Sequence, residues 1–342
     1  MITTVWFCLV AIMVAGYVVL DGFDLGAGII HLFVAKTDQE RRQVLRSIGP
    51  VWDGNEVWLL AAGGTLYFAF PALYAAAFSG FYLALMMVLW LLILRGISIE
   101  LRSHIESPIW RPFWDLLFGG SSALLALLYG AALGNVIRGV PLDKDGYFFL
   151  PLWTNLLPGN NAGIVDWYTL LVGAASFVAL AIHGCYWVAY KTNGDLQQRS
   201  RSFGQNCWWA LVAFIAAITF FSFRLQPNLN TQFEEYPWGY VFPALGVAGL
   251  AGMYHYAGKK QDLAAFLSSC LFLVGMLTSA TFGVYPYVLP SNVEPTAGLT
   301  ISNASAAPYG LYIGLAWWIP GMILAGVYSV FVYRHFAGKV SD

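Results

Sequence analysis

The chain has 342 residues, of which 59% are hydrophobic and 10% are charged, and its mean hydropathy is +0.65. Soluble domains carry about 25% charged residues, so this composition excludes an ordinary soluble domain and indicates a polytopic membrane protein. The formal net charge of −1 argues against nucleic acid as a partner.

Apolar stretches of transmembrane length recur along the whole chain, and the alternating pattern of barrel strands is absent. We therefore expect an all-α polytopic membrane protein with nine transmembrane helices in a single domain over residues 1–342. The first stretch lacks a basic leader region and is expected to remain as a helix. In chain order, the predicted helices cover about 3–34, 50–73, 77–103, 113–137, 164–190, 205–225, 238–258, 262–286 and 309–334.

Small-residue spacings such as Gly22/Gly26 and Gly63/Gly64 predict close helix packing. The distribution of basic residues then predicts the orientation. Only Arg138, Lys144 and Arg224 lie at one set of helix ends. The opposite set holds thirteen, namely Lys36, Arg41, Arg42, Arg46, Arg102, Arg111, Lys191, Arg199, Arg201, Lys259, Lys260, Arg334 and Lys339. Because basic residues concentrate on the cytoplasmic side, the amino terminus is expected outside and the carboxyl terminus in the cytoplasm.

Carboxylates occur inside the first two predicted helices, where an ionised group is costly and is therefore a functional candidate. Asp21 and Asp24 lie in the first, and Asp53 and Glu56 in the second. Each pair is spaced i, i+3, which places both acids on one helix face. At 1.5 Å per residue, Asp53 should lie about 5 Å and Asp24 about 15 Å from the cytoplasmic end. This series predicts a proton path from the cytoplasm, together with the neighbouring Trp52 and Asn55.

A structural role for these charges is the alternative. Arg95, in the third predicted helix, has a depth that matches Asp24, so the two could form an ion pair. Asp53 could simply cap the second helix. Glu100 is predicted to lie near the rim of the membrane. There it could join an ion pair or the proton path, or it could be a solvated side chain.

Histidines and cysteines offer no cofactor site. A membrane haem needs axial ligands such as His or Met on facing helices, and no pair of predicted helices offers a histidine pair. Metal-binding motifs, nucleophile motifs and nucleotide-binding loops are also missing from the sequence. We expect no metal, no cofactor ligand and no catalytic residue in this chain.

Three segments carry a resemblance to a known family. D-G-F-D-L-G-A-G at 21–28, W-D-G-N-E-V-W-L at 52–59 and Y-A-A-A-F-S-G-F-Y at 74–82 closely resemble subunit II of cytochrome bd quinol oxidases. Arg95 and the following I-E-L-R-S at 99–103 fit the same pattern, and the resemblance extends over essentially the full length.

The resemblance implies two four-helix bundles plus a peripheral helix, in a bacterial plasma membrane. It implies a quinol oxidase complex that reduces O2 to water and generates proton-motive force. Subunit I would hold two b-type haems and one d-type haem, and subunit II none. Subunit II would stabilise subunit I and contribute a cytoplasmic proton path through Asp53, with Glu56 ranked lower. Membrane lipid and quinone would be further partners, and the resemblance leaves room for small single-helix accessory subunits.

Other functions remain open from the sequence. A proton-coupled secondary transporter would also use intramembrane acids, but it usually has a broken helix at the membrane midplane. A self-contained haem oxidoreductase would need ligands that the histidine distribution does not offer. A structural scaffold for subunit I differs from a proton-conducting subunit only in the role of the acids.

Overall fold

The computed structural model describes residues 1–159, 161–293 and 295–340, and it is mostly helical. The helices in the first half of the chain are α1 (Ile2–Leu20), α2 (Gly22–Val34), α3 (Asp38–Ile48), α4 (Trp52–Ala69), α5 (Pro71–Gly80), α6 (Tyr82–Leu101) and α7 (Trp110–Arg138). Those in the second half are α8 (Trp167–Lys191), α9 (Gly194–Leu225), α10 (Pro227–Glu235), α11 (Val241–Gly258), α12 (Asp262–Val284) and α13 (Pro308–His335). Short 3₁₀ helices cover Pro237–Tyr240 and Pro295–Ala297, and two strands, β1 (Tyr287–Leu289) and β2 (Leu299–Thr300), pair antiparallel.

Seven helical segments in the described part of the chain are long and apolar enough to cross a membrane. They are Ile2–Val34, Tyr82–Leu101, Trp110–Arg138, Trp167–Lys191, Gly194–Leu225, Asp262–Val284 and Pro308–His335. α4 and α11 coincide with the second and seventh predicted helices but are not among the seven. The helical membrane class is confirmed, and the count of nine stays a prediction.

The second and third predicted helices have different boundaries in the structure. α4 ends at Ala69, and α5 begins at Pro71 instead of continuing to residue 73. Proline lacks the backbone N–H and clashes with the preceding turn, so it is favoured at the start of a helix and tends to kink or break a helix interior. By contrast, Asp21 at the junction of α1 and α2 keeps right-handed helical dihedrals, so the first span has no unwound segment there.

Three elements lie where connections were expected. α3 occupies the basic segment 35–49, and a capping box begins it: Glu40 N–H donates to Thr37 Oγ1, and Thr37 N–H donates to Glu40 Oε2, both at 3.2 Å. α10 lies within 226–237, and the β1–β2 hairpin within 287–308. The hairpin is a small correction to the all-α prediction.

The crossing of α2 and α8 forms the centre of the molecule. A Cβ at Gly26 would lie 2.0 Å from the carbonyl oxygen of Leu180, and one at Gly184 would lie 2.2 Å from the carbonyl carbon of Gly26. The two backbones are therefore in direct contact, as expected for Gly26. This contact, together with α7, buries nearly all of α2, including Asp24.

α6 and α13 have an unusual burial pattern. The buried residues of α6 are Arg95 and Ser98, whereas its apolar side chains are largely exposed. α13 buries only Leu311 and Gly314. The close packing expected at Gly63 and Gly64 of α4 is absent, since no described atom lies within 4 Å of a Cβ built there. These helices present apolar faces to lipid or to a partner.

Candidate functional site

Asp21 and Arg95 form a fully buried, bidentate ion pair. Arg95 Nη1 donates to Asp21 Oδ2 at 2.9 Å, and Nη2 donates to Oδ1 at 2.7 Å. The helix junction of α1 and α2 supplies the carboxylate, and α6 supplies the guanidinium. The ion pair expected between Arg95 and Asp24 is wrong, because the side chain of Arg95 reaches the residue one turn earlier.

Glu56 extends this pair toward the surface of the protein. Arg95 Nη2 also donates to Glu56 Oε2 at 3.2 Å, and the Glu56 side chain is 25% exposed. One guanidinium therefore bridges a buried carboxylate and a partly exposed one. Glu56 is the member of the cluster that is not fully enclosed by this chain.

Asp24 lies in a separate, uncharged set of partners. Asn55 Nδ2 donates to Asp24 Oδ2 at 2.8 Å, and the hydroxyl of Tyr333 on α13 donates to Asn55 Oδ1 at 2.8 Å. The other carboxylate oxygen, Asp24 Oδ1, is buried and has no hydrogen-bond partner among the described residues. An unpaired buried acceptor is costly, so this oxygen is a position where a proton would be accommodated.

The geometry of α4 explains why two sets of contacts form. Successive residues on a helix point about 100° apart, so the side chains of Asn55 and Glu56 reach different partners. Trp52 packs one turn earlier, with ring carbon Cη2 at 3.5 Å from the position that a Cβ would take at Gly96 of α6. The sequence motif at 52–56 thus contacts α2, α6 and α13.

Asp53 and Glu100 are exposed and lie outside both sets of contacts. Asp53 is in the first turn of α4, but Val51 is the N-cap residue and no side chain caps this helix, so the capping alternative for Asp53 is wrong. Near a helix amino terminus a carboxylate is favoured by the helix dipole. Glu100 makes no ion pair within the described residues, so the ion-pair alternative is wrong, and the alternative of a solvated side chain agrees with its exposure.

The charges of the buried cluster do not balance. Asp21 and Glu56 share the single guanidinium of Arg95, and Asp24, one turn further along α2, is bound only by the neutral Asn55. If all three carboxyl groups were ionised, the cluster would hold two negative charges more than positive ones in a low-dielectric interior. Such an excess is unfavourable, and a proton held among the carboxyl groups would reduce it.

Two tyrosine contacts of this region were missed from the sequence. Tyr333 is bonded to Asn55, and the hydroxyl of Tyr17, one turn before Asp21, donates to the hydroxyl of Tyr129 at 2.9 Å. Tyrosines near helix ends are usually interfacial, so composition alone did not single them out. The sequence feature that could have identified Tyr333 is a tyrosine hydroxyl on the last helix at the same membrane depth as the W-D-G-N motif.

A second charged cluster lies at the end of the bundle that holds α3. Asp38 accepts hydrogen bonds from Arg42, Arg102 and Arg111 at 2.8 to 3.1 Å. Burial alone would raise the pKa of Asp38, but these guanidiniums outweigh it, so the pKa of this carboxyl lies below its ordinary value. Asp115 accepts from Arg102 Nε at 2.5 Å and from Arg41 Nη1 at 2.8 Å.

His183 does not fit an axial haem ligand. Its two ring nitrogens lie 2.7 Å from Ser269 Oγ and 2.9 Å from the carbonyl oxygen of Val19, so both are engaged. His31 Nδ1 lies 2.6 Å from the carbonyl oxygen of Gly28, and its Nε2 lies 3.6 Å from Asp115 Oδ1. Across the described residues, no three His, Cys, Asp or Glu side chains form a group that could hold a metal ion.

Comparisons with known proteins cover nearly the whole chain. Residues 2–336 match the family described as cytochrome bd terminal oxidase subunit II. "Cytochrome bd-I ubiquinol oxidase subunit 2" of Escherichia coli strain K12 is 30% identical, over 98% of this chain and 94% of that protein. "Probable cytochrome oxidase subunit 2" of Haemophilus influenzae is 31% identical with the same coverage. The fold resembles a chain in the structure of bd oxidase from Geobacillus thermodenitrificans, with a TM-score of 0.74, 15% identity and 98% of each chain covered.

Proposed function

Because the chain belongs to the family of subunit II of cytochrome bd terminal oxidases, we propose that it conducts protons from the cytoplasm toward haems held by subunit I. It is a multi-pass protein of the bacterial plasma membrane and a subunit of a quinol oxidase complex, which is an oxidoreductase of respiratory electron transport. In the proposal, the isolated chain is not catalytic. Two b-type haems and one d-type haem belong to subunit I, and quinol is the substrate of the complex.

The single observation that carries the proton path is the environment of Asp24. Its Oδ2 accepts from Asn55, and its Oδ1 is buried without a partner among the described residues. A carboxyl group with one free, buried oxygen can take up a proton there and release it without breaking an existing hydrogen bond. Asp21 is a poorer candidate, since both of its oxygens are bound by Arg95.

Glu56 and Asp53 supply the entrance in this proposal. Glu56 is partly exposed, and Asp53 is exposed in the first turn of α4, so both can exchange protons with water. Arg95 contacts Glu56 and Asp21 and sets the charge of the buried cluster. Trp52 and Asn55 hold α4 against α6 and α2.

The proposed topology has nine transmembrane helices, with the amino terminus outside and the carboxyl terminus in the cytoplasm. α4 and α11 would be the two further membrane-spanning helices, since each has 18 residues. Two four-helix bundles plus a peripheral helix follow from the family. In this orientation Asp53 lies at the cytoplasmic side, as a proton inlet requires.

Stabilisation of subunit I is the second part of the proposal. The exposed apolar faces of α6 and α13, with the open positions Gly63 and Gly64 on α4, support a large helical partner on this side. Leu324→Lys on the exposed face of α13 should therefore reduce recovery of subunit I with the tagged chain. Equal recovery would exclude this face as the interface.

The proton path is tested by Asp24→Asn and Asp53→Asn in the assembled complex, with Asp24→Glu as the conservative variant. Oxygen consumption with quinol and proton uptake are measured in proteoliposomes, and the haem spectrum reports assembly. A positioned proton-transfer group contributes about 100-fold or more, so Asp24→Asn should slow turnover by about tenfold or more. If both Asn variants show wild-type turnover and wild-type proton uptake, the proton path is wrong and the chain is a structural scaffold.

A further inference from the structure

A cavity of about 420 Å³ lies where α3, the segment 102–109 and the start of α7 meet, away from the acidic cluster around Asp24. Four cationic side chains line it, namely Lys36, Arg41, Arg102 and Arg111. Three carboxylates also line it, namely Asp38, Glu106 and Asp115. Arg42 lies beside it and pairs with Asp38 and Glu106. Four cations therefore line the cavity against three carboxylates, and Arg42 beside it adds to this excess of positive charge.

The arginines of this cavity keep N–H groups that no described residue satisfies. Arg102 is 2% exposed, and its Nη1 is buried without a hydrogen-bond partner. The Nε groups of Arg41 and Arg111 are also buried without a hydrogen-bond partner among the described residues. Buried donors without partners are costly. The cations that line the cavity outnumber its carboxylates, and this excess of positive charge indicates an anion with several acceptor oxygens, as a phosphate has.

An exposed apolar surface adjoins the cavity. Ile109, Phe113 and Leu116 are 80%, 50% and 65% exposed, and their i, i+4, i+7 spacing places them on one face at the start of α7. Trp110 and Trp114 lie in the same turns, as expected for residues at a membrane interface. A ligand in the cavity would therefore have its charged part among arginines and an apolar surface directly beside it.

We propose that this cavity binds the phosphate headgroup of an anionic phospholipid, with the acyl chains along Ile109, Phe113 and Leu116. A soluble phosphate would satisfy the arginines but would leave the apolar face without a role. Basic pockets at the membrane surface and between transmembrane helices bind anionic headgroups by the same chemistry. The bound lipid would connect α3, the segment 102–109 and α7.

The test uses the purified complex of this chain with its partner subunit and the double variant Lys36→Gln/Arg111→Gln. Removal of Arg102 is avoided, because it would leave Asp115 buried without its closest partner. Native mass spectrometry measures binding of dioleoyl phosphatidylglycerol, dioleoyl phosphatidylcholine and inorganic phosphate. The wild-type complex should bind phosphatidylglycerol in preference to phosphatidylcholine, and the double variant should bind it at least about tenfold more weakly.

Lys259→Gln/Lys260→Gln is the matched control, because it removes the same charge at the turn between α11 and α12. It should bind phosphatidylglycerol like the wild type. If both double variants lose phosphatidylglycerol binding equally, or if neither loses it, the proposed site is wrong. Equal binding of phosphatidylcholine would overturn the anion preference, and displacement of phosphatidylglycerol by equimolar inorganic phosphate would overturn the role of the apolar face. A thermal unfolding curve like that of the wild type would verify the fold of each variant.

Discussion

The guanidinium of Arg95 binds both carboxylate oxygens of Asp21, and neither side chain is exposed to solvent. This pair joins the junction of α1 and α2 to α6, a helix whose buried residues are only Arg95 and Ser98. Val88, Leu91, Leu92 and Ile99 of α6 are partly buried against the core, and the ion pair adds a fully buried contact to them. The pair therefore has a structural role as well as any role in proton transfer.

Arg95→Gln should destabilise the complex strongly, because Asp21 would remain buried without its cation. Breaking one partner of a buried pair costs about 3–5 kcal/mol. The thermal unfolding midpoint of the purified complex measures the effect. Arg224→Gln, at an exposed arginine, is the control and should leave the midpoint close to wild type. The double variant Asp21→Asn/Arg95→Gln should recover part of the loss, and no recovery would contradict a specific pair.

Tyr333→Phe removes the hydroxyl that donates to Asn55 Oδ1. If Tyr333 orients Asn55, and Asn55 in turn orients Asp24, the variant should slow proton uptake and shift the pH profile of turnover with little change in the KM for quinol. Tyr328→Phe, an exposed tyrosine on the same helix, serves as the control. The pH profile of turnover checks the prediction, and coincident profiles for the two variants would show that Tyr333 has no positioning role.

Gly26→Ala tests the backbone contact between α2 and α8. The added Cβ would lie 2.0 Å from a carbonyl oxygen of α8, so the helices must separate. Overpacking of this kind costs about 1–3 kcal/mol, and Asp24, two residues away, should be displaced with the helix. Gly120→Ala has no described atom within 4 Å and should be neutral. Complex yield and the unfolding midpoint are the measurements, and equal values for both variants would contradict the contact.

The packing of α3 against the rest of the protein should weaken at acidic pH, because Asp38 is protonated there. Its folded pKa is below its ordinary value, about 3.9 in model peptides, since Arg102, Arg42 and Arg111 outweigh burial. A carboxyl group of this kind contributes stability above its unfolded pKa and loses that contribution as the pH falls through the folded pKa.

Hydrogen exchange of the α3 amides, measured on the intact complex against pH and corrected for intrinsic exchange rates, checks this expectation. Protection in the wild type should be constant from about pH 5 to 8 and fall below about pH 4. Asp38→Asn should lose this part of the pH dependence, while Asp145→Asn on an exposed loop should keep it. An unchanged acid profile in Asp38→Asn would contradict the assignment to this carboxylate.

Individual elements differ in how far they were predictable. The long apolar helices were predictable, because hydropathy is a local property that is averaged over about twenty residues. The end of α4 at Ala69 and the start of α5 at Pro71 were not, since hydropathy continues across that proline. Hydropathy does not distinguish α3 from a connection, because the helix is short and charged, although T-D-Q-E at 37–40 carries the capping-box pattern.

By itself, the sequence determined the membrane class and the family, because these depend on composition and on motifs within short segments. Only the tertiary structure decided which side chains meet. Arg95 pairs with Asp21 because of the rotation of α6 against α1 and α2, which no linear depth estimate contains. Asn55 meets Tyr333 across 278 positions of the chain. Such contacts depend on how whole helices pack, and that is a property of the complete fold.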